Sequence, residues 1–192
     1  MSASYDFDLL CIGSGPAGQR AAIQASKLGK RAAVVEKRPC VGGICLDGGT
    51  IPSKTFREAV CSFAQGNGQF SHAQVYRSES DRPRRPSADE LLHRVGVVAR
   101  RESQVVEQQL CRNDIQLIRG EASFRDSHSL VVASEEGRRI VTAANILIAV
   151  GTYPASPPGV AVDGDVIVTS DDLVRLRRLP KKLVVVGGGI IG

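Results

Sequence analysis

The feature that most limits what this chain can fold into is its opening. Asp8-Leu-Leu-Cys-Ile12 is a short apolar run that ends in Gly13-Ser-Gly15-Pro-Ala-Gly18. Small and apolar residues at helical spacing then run from Gln19 to Leu28 and are closed by Gly29, and a second apolar run, Arg31 to Glu36, comes next. Short apolar runs between polar residues and a glycine turn read as buried strands, and glycine is a common helix stop. Strand, glycine turn, helix, strand is the opening of a parallel sheet. The turn has the spacing G-x-G-x-x-G, and Glu36 stands eighteen residues after Gly18, at the end of the second strand. A glycine-rich turn alone is weak evidence. Between a strand and a helix, and answered by an acid, it is the dinucleotide-binding fingerprint. Gly13 permits the tight turn, Gly15 lets backbone approach a pyrophosphate, Gly18 allows close helix–strand packing, and Glu36 accepts hydrogen bonds from an adenosine ribose.

The segment Cys40-Val-Gly-Gly-Ile-Cys45-Leu-Asp-Gly-Gly-Thr50-Ile-Pro-Ser-Lys54 carries four glycines and a proline, which argue against a simple regular element. Residues 56–63 read as a helix, and residues 64–86, rich in Gln, Asn, Gly, Ser and Arg, as an exposed excursion. Ser87-Ala-Asp-Glu90 is a capping box, opening a helical stripe of Leu91, Val95, Val98, Val105, Val106 and Leu110. Short strands are expected at 115–118, 122–124, 130–133 and 140–142, with Glu135-Glu-Gly137 as a hairpin connection, and a buried strand at 145–150 closed by Gly151. A proline-rich stretch, Pro154 to Pro158, leaves that unit. Leu183-Val-Val-Val186 then runs into Gly187-Gly-Gly189-Ile-Ile-Gly192, read as a further strand and a second G-x-G-x-x-G. A fingerprint needs its helix, so the expectation is the front part of a longer protein, cut at the threshold of a second nucleotide-binding unit.

Composition closes off other classes. Among 192 residues, 42% are hydrophobic and 23% charged, which excludes wholesale disorder and collagen-like fibre. Lys and Arg exceed Asp and Glu by only 25 to 20, with both signs interspersed, which reads as a solvated surface and not a nucleic-acid patch. Aromatics at 4% with no Trp argue against a stacking platform for single strands. No apolar run approaches the ~18 residues of a membrane span, and the first residues lack a positive signal-peptide region. Five cysteines without framework spacing favour a reducing, cytoplasmic compartment with mostly free thiols. Of these, Cys11, Cys61 and Cys111 read as core fillers. His72, His93 and His128 lie without partners, and metal-ligand spacing is absent, so no metal is expected.

At this point the chain resembles the flavoprotein disulfide reductases, the class-I pyridine nucleotide-disulfide oxidoreductases that include glutathione reductase, dihydrolipoyl dehydrogenase and mercuric reductase. The resemblance covers essentially all residues and rests on Gly13 to Gly18, Glu36, the run from Gly42 to Lys54, the strand ending Ala149-Val-Gly151, and the second fingerprint. The family's redox segment reads approximately G-G-T-C-x-x-x-x-C-I-P-S-K. This chain keeps that frame with one chemical departure: Thr50 stands where the second cysteine would be. Thiol–disulfide exchange needs both sulfurs, so disulfide reduction in that frame is disfavoured. Cys40 and Cys45 also have C-x-x-x-x-C spacing, but the frame places Cys40 before the double glycine, near the ribose and pyrophosphate end. One branch of the family, the soluble FAD-containing NAD(P) transhydrogenases, is similar in just this departure, with a segment like G-G-x-C-x-x-x-G-T-I-P-S-K and a similar downstream Arg57-Glu-Ala-Val60.

The resemblance implies an α/β fold: a Rossmann-like FAD-binding domain with inserted hairpin or meander strands, broken off at the start of a second, NAD(P)-binding Rossmann unit. It implies residues 1–155 as an incomplete FAD-binding domain, 156–180 as a connection, and 181–192 as the first strand and glycine turn of the NAD(P) domain. Gly13, Gly15 and Gly18 would hold the FAD pyrophosphate, with Ser14, Pro16 and Ala17 shaping the loop. Glu36 would bind the ribose, and Lys37, Arg38, Pro39, Cys40, Val41, Gly42, Gly43, Ile44 and Cys45 would wrap the cofactor. Thr50 would sit beside the flavin ring and Lys54 would approach flavin N5, where a cation stabilises negative charge on reduced flavin. Cys45 is a third candidate at the reacting centre, or an idle retained thiol. Gly120-Glu-Ala122 resembles the segment whose backbone reads adenine, and Gly151 the glycine ending the family's A-T-G strand, where Val150 replaces the usual Thr. The implied activity is hydride transfer between NADPH and NAD through FAD, in a cytoplasmic protein that is homo-oligomeric when intact; the other reading is a disulfide reductase in which Cys45 works with a different thiol. The 192-residue stretch alone would bind FAD weakly or not at all and be inactive. The choice between NAD and NADP stays open, because the residue that makes it would lie beyond Gly192.

Overall fold

The computed structural model describes residues 5–64 and 86–192. They divide into two compact units, one formed by Met1–Asp47 and Arg100–Tyr153, the other by Gly48–Ala99 and Pro154–Gly192. In chain order the elements are β1 (Phe7–Ile12), α1 (Pro16–Lys27), β2 (Ala32–Glu36), α2 (Ile44–Asp47), α3 (Thr50–Ala64), α4 (Ala88–Arg112), β3 (Gln116–Arg119), β4 (Glu121–Asp126), β5 (Ser129–Ser134) and β6 (Gly137–Ile148). A 3-10 turn covers Ser170–Arg175.

The first unit is built on one sheet with strand order β3-β2-β1-β6-β5-β4. The pairs β3·β2, β2·β1 and β1·β6 are parallel, whereas β6·β5 and β5·β4 are antiparallel. β2 and the middle of β1 are apolar without alternation because both faces are covered. Cys11, Ala32 and Val34 pack on one side with Ala22 and Ile23 of α1 and Leu110 of α4. Leu10, Ala33 and Val35 pack on the other side with Leu130, Val132 and Val141. Burying such aliphatic side chains contributes about 1.5–3 kcal/mol each, as an upper bound for the larger ones. The edge strands β3 and β4 are separated only by Gly120, and Leu130, Val132 and Val141 of the meander cover the face of β1 and β2 opposite α1.

The α/β reading and the parallel opening match this architecture, with three differences in detail. The expected strands at 140–142 and 145–150 are one strand, β6. Residues 137–142 pair antiparallel with β5, and residues 143–148 pair parallel with β1, so one strand carries the chain from meander to parallel sheet. Helix α3 starts at Thr50, inside the glycine-rich segment and six residues before the expected start at 56. Pro52 is tolerated there because the first-turn N–H it lacks has no intrahelical acceptor. Leu183–Val186 is not a strand: Val184 is 85% and Val186 94% exposed, and no described residue supplies the ladder partners a strand requires. Most of the expected excursion, 65–85, lies outside the described residues, as does His72.

In the second unit, Ala59 of α3 and Leu91 and Val95 of α4 are buried, and Arg94 pairs with Glu58 across 3.7 Å. The capping box forms as read. Ser87 N–H donates to Glu90 at 2.8 Å, and Glu90 N–H donates to Ser87 Oγ at 3.2 Å. Ser87→Ala is expected to lower stability by about 1 kcal/mol, measured by urea unfolding followed by helical circular dichroism. A change within about 0.2 kcal/mol would mean the box is idle.

Candidate dinucleotide cleft

The first glycine turn lies at the carboxyl end of β1, where parallel sheets place their ligands. Gly13 sits at φ +105°, and a Cβ there would run into the Ala149 carbonyl oxygen; a Cβ on Gly18 would run into the Gly13 carbonyl oxygen. Both glycines are thus required by the close approach of the turn to β6 and of α1 to the turn. Gly15 caps α1 and Pro16 takes its first position, so the helix N-terminus and its unsatisfied N–H groups face the space above the turn.

That space is a cleft of about 360 Å³, lined by residues of the first unit. It gathers Gly13, Ser14, Gly15, Pro16 and Ala17 from the turn with Glu36, Lys37 and Arg38 from the end of β2. Gly43 and Ile44 come from the following segment, Gly120 to Ala122 from the β3–β4 junction, and Gly151 from beyond β6. Ile12, Val35, Ala149, Val150 and Thr152 also line it, beyond the site residues the sequence suggests. Their signal in the sequence was adjacency to the glycine turns, but apolar strand ends look the same whether they line a cleft or a core.

Glu36 is the electrostatic centre of the cleft. It is 6% exposed, and its Oε2 accepts from Ser14 N–H at 2.9 Å and Ser14 Oγ–H at 2.5 Å, while Oε1 accepts from Arg38 N–H at 2.9 Å. Burial pushes its pKa up, but the Ser14 hydroxyl, the Arg38 and Ser14 amides and the Arg38 charge outweigh it, so the carboxyl lies below its ordinary value. The cations of the rim are held by acids: Lys37 Nζ is 3.4 Å from Glu121, and Arg38 is 2.8 Å from Asp47. These exposed pairs orient side chains more than they stabilise.

The remaining residues of the 37–45 segment are placed as follows. Pro39 and Cys40 are exposed, Val41 and Gly42 are buried, and Cys45 is half-buried on α2. Ser103 of α4 donates to the Val41 carbonyl at 3.0 Å and fixes the segment's middle. Thr50 and Lys54 belong to the second unit, where they sit one turn apart on α3, both exposed, and share a face of that helix. The second glycine run shares two local features with the first. Gly187 sits at φ +123°, and a Cβ on Gly192 would run into the Gly187 carbonyl oxygen, as a Cβ on Gly18 would into that of Gly13.

All five cysteines are free thiols. Cys11 is buried, as a core filler should be, but Cys111 is exposed and Cys61 only half-buried, because the α4 and α3 positions they occupy fall off the buried stripe. Burial pushes the Cys11 thiol up to about 11. At pH 8 Cys40 is therefore expected to react with a thiol reagent in the native protein, and Cys11 only on unfolding. Labelling followed by peptide mass analysis checks this, and early labelling of Cys11 would contradict the packing of β1. His128, read as partnerless, stacks on Tyr5 at 5.1 Å and sets Nδ1 3.1 Å from the Ala143 carbonyl, a structural role at the foot of the sheet. Among the described residues, no cluster of His, Cys, Asp or Glu could hold a metal, and no helix is long and apolar enough to cross a membrane.

Comparison with known proteins gives a consistent picture. The sequence pattern of the family described as pyridine nucleotide-disulphide oxidoreductase matches residues 7–192. A soluble pyridine nucleotide transhydrogenase of Mycobacterium tuberculosis is 42% identical over 189 residues, which are 97% of this chain and 40% of that protein. One from Chromohalobacter salexigens is 38% identical over 191 residues, 99% of this chain and 40% of that protein. Among solved structures, the HOCl-induced flavoprotein disulfide reductase RclA of Escherichia coli, as its Cu(II) complex, superposes with a TM-score of 0.69 at 26% identity. That match covers 92% of this chain and 36% of RclA. The chain thus spans about two fifths of the length of the relatives it matches.

Proposed function

The chain belongs to the pyridine nucleotide-disulphide oxidoreductase family, and from that premise we propose that it is the FAD-binding front of a soluble transhydrogenase, which passes hydride between NADPH and NAD without a redox disulfide. The observation that carries this reading is Thr50, in the position where a disulfide reductase needs its second sulfur, with both glycine fingerprints retained. Relatives at 38–42% identity bear the transhydrogenase name.

The cleft of the first unit suits the adenosine and pyrophosphate part of FAD. Its volume of about 360 Å³ lies within the range of small-molecule sites. Its glycines leave the space a Cβ would fill, its helix N-terminus offers donors to an anion, and Glu36 offers an ionised acceptor to ribose hydroxyls. FAD, when bound, supplies a ring that takes a hydride from one nicotinamide and yields it to another. The chain's own residues bind and orient. Glu36 accepts from the ribose, the Gly13–Gly18 turn and α1 hold the pyrophosphate, residues 37–45 wrap the cofactor, and Ala122 and Gly151 border the adenine and the sheet end. On α3, Lys54 would supply an ammonium able to stabilise negative charge on a reduced flavin, and Thr50 a hydroxyl but no sulfur. The turn from Gly187 to Gly192 begins the NAD(P) site. The reading makes NADPH, NADH, NAD and NADP the partners of a cytoplasmic homo-oligomer.

The test is hydride exchange by the protein at its natural length, from NADPH to a spectrally distinct NAD analogue, with oxidised lipoamide as a parallel acceptor. Exchange without lipoamide turnover is the expected result. Lipoamide turnover with little exchange would replace this reading by a disulfide reductase in which Cys45 works with another thiol. The exposed, free Cys40 would then be the first to examine.

A further inference from the structure

The dinucleotide fingerprint leaves its second residue unspecified, yet here that residue, Ser14, is fully buried and every polar group it has is engaged. Its N–H and hydroxyl both donate to Glu36 Oε2, at 2.9 and 2.5 Å. Its hydroxyl also accepts from Gly42 N–H at 3.1 Å, and its carbonyl accepts from Gln19 Nε2 at 2.6 Å. Gln19 is 7% exposed and Glu36 6%, so this network is largely shielded from water and meets it only where Glu36 borders the cleft. In such surroundings a hydrogen bond to a carboxylate is strong and an abandoned donor is costly.

The hydroxyl ties three chain segments together: the turn, the end of β2 and the double glycine. With Oε2 engaged by the two Ser14 donors and Oε1 by Arg38 N–H, the carboxylate has one orientation, and the open lone pair is on Oε1. The same hydroxyl, through Gly42, holds the double glycine beside the turn, where Gly43 stands so close to Gly15 that a Cβ on it would lie 2.8 Å from the Gly15 Cα. Alanine would fit the space and satisfy the fingerprint. It would also release Glu36 from its shortest bond and leave the buried Gly42 N–H without an acceptor.

We propose that Ser14 is a positioning residue for the adenosine end of the cofactor, its hydroxyl setting the Glu36 carboxylate toward the ribose and holding the Gly42–Gly43 wall of the cleft against the glycine turn. The proposal rests on the reading of this cleft as the FAD site. It is distinct from the roles of the glycines, because it needs an oxygen and not an absence of side chain.

The experiment is FAD titration, by flavin fluorescence, of deflavinated protein at its natural length. It compares wild type, Ser14→Ala, Ser14→Cys, Glu36→Ala and the two double variants. Cysteine keeps the shape of serine with a weak donor, so it reports even where the alanine variant does not fold. Each Ser14 variant is expected to weaken FAD about 10-fold, the size of a hydrogen bond to a charged group. In the Glu36→Ala background the same changes are expected to cost clearly less, about 3-fold, because the group being positioned is gone and only the hold on Gly42 remains. Unchanged affinity in the Ser14 variants overturns the proposal. So does an equal loss in both backgrounds, since that is what a merely structural serine would give. Wild-type protein that takes no FAD overturns the reading of the cleft itself, and is seen before any variant is compared.

Discussion

Replacing Gly13 by valine is expected to abolish FAD binding and to lower the stability of the first unit by about 3–5 kcal/mol. Gly13 holds φ at +105°, which L residues with a Cβ rarely adopt, and valine, branched at Cβ, is the least tolerant of it. The added atom also has nowhere to go, because the Ala149 carbonyl at the end of β6 occupies its position. That carbonyl cannot withdraw cheaply. Ala149 N–H donates to the Ile12 carbonyl at 2.9 Å, and Gly13 N–H donates to the Val35 carbonyl at 2.8 Å, so turn, β2 and β6 are bonded at the point of collision. Urea unfolding and FAD titration of the variant check both parts. A stability loss below about 1 kcal/mol with FAD retained would mean that the turn adapts, and the close packing described for the cleft floor would be wrong.

Glu36→Ala is expected to weaken FAD about 100-fold, because it removes the ribose acceptor together with the group that orders Ser14 and Arg38. Its effect on folding depends on pH, with a definite sign. The carboxyl lies below its ordinary value in the folded protein, so its contribution is fully present above the unfolded-state value. It is lost as pH falls through the lower, folded value. The stability difference between wild type and Glu36→Ala is therefore largest near neutrality and shrinks on acidification below about pH 4. Denaturant curves at a series of pH values measure it. A difference that grows on acidification would mean that burial, and not the three donors, governs this carboxyl.

Much of the cleft was legible because its parts are local in sequence. The turn from Gly13 to Gly18, the flanking strands and Glu36 occupy a single stretch, and each residue type there has one backbone or hydrogen-bonding reason to be present. The capping box at Ser87 was legible for the same reason. What escaped notice depends on contacts distant in sequence. That β6 is one strand with two sets of partners follows from β1 lying beside it, 136 residues away where Asp6 N–H meets Thr142 Oγ1. The start of α3 at Thr50 was hidden by glycines and a proline that suit a helix N-terminus as well as a loop. Ser14 reads from the sequence only as a residue that shapes the loop, because the fingerprint treats its position as free. The meeting of Glu36 and Gly42 on one hydroxyl is what the structure adds. The exposed Cys111 shows the opposite failure: a cysteine in an apolar-looking run, turned to the wet side of its helix.

The central claim is that hydride passes through this protein without a redox disulfide, and the most direct measurement is the number of reducing equivalents the FAD-loaded protein of natural length takes up in an anaerobic titration. With Thr50 in place of the second cysteine of the redox frame, one two-electron equivalent per flavin is expected, the flavin's own. Uptake of a second two-electron equivalent per flavin, accompanied by the appearance of a new pair of titratable thiols, would show that a disulfide exists after all and would contradict the account.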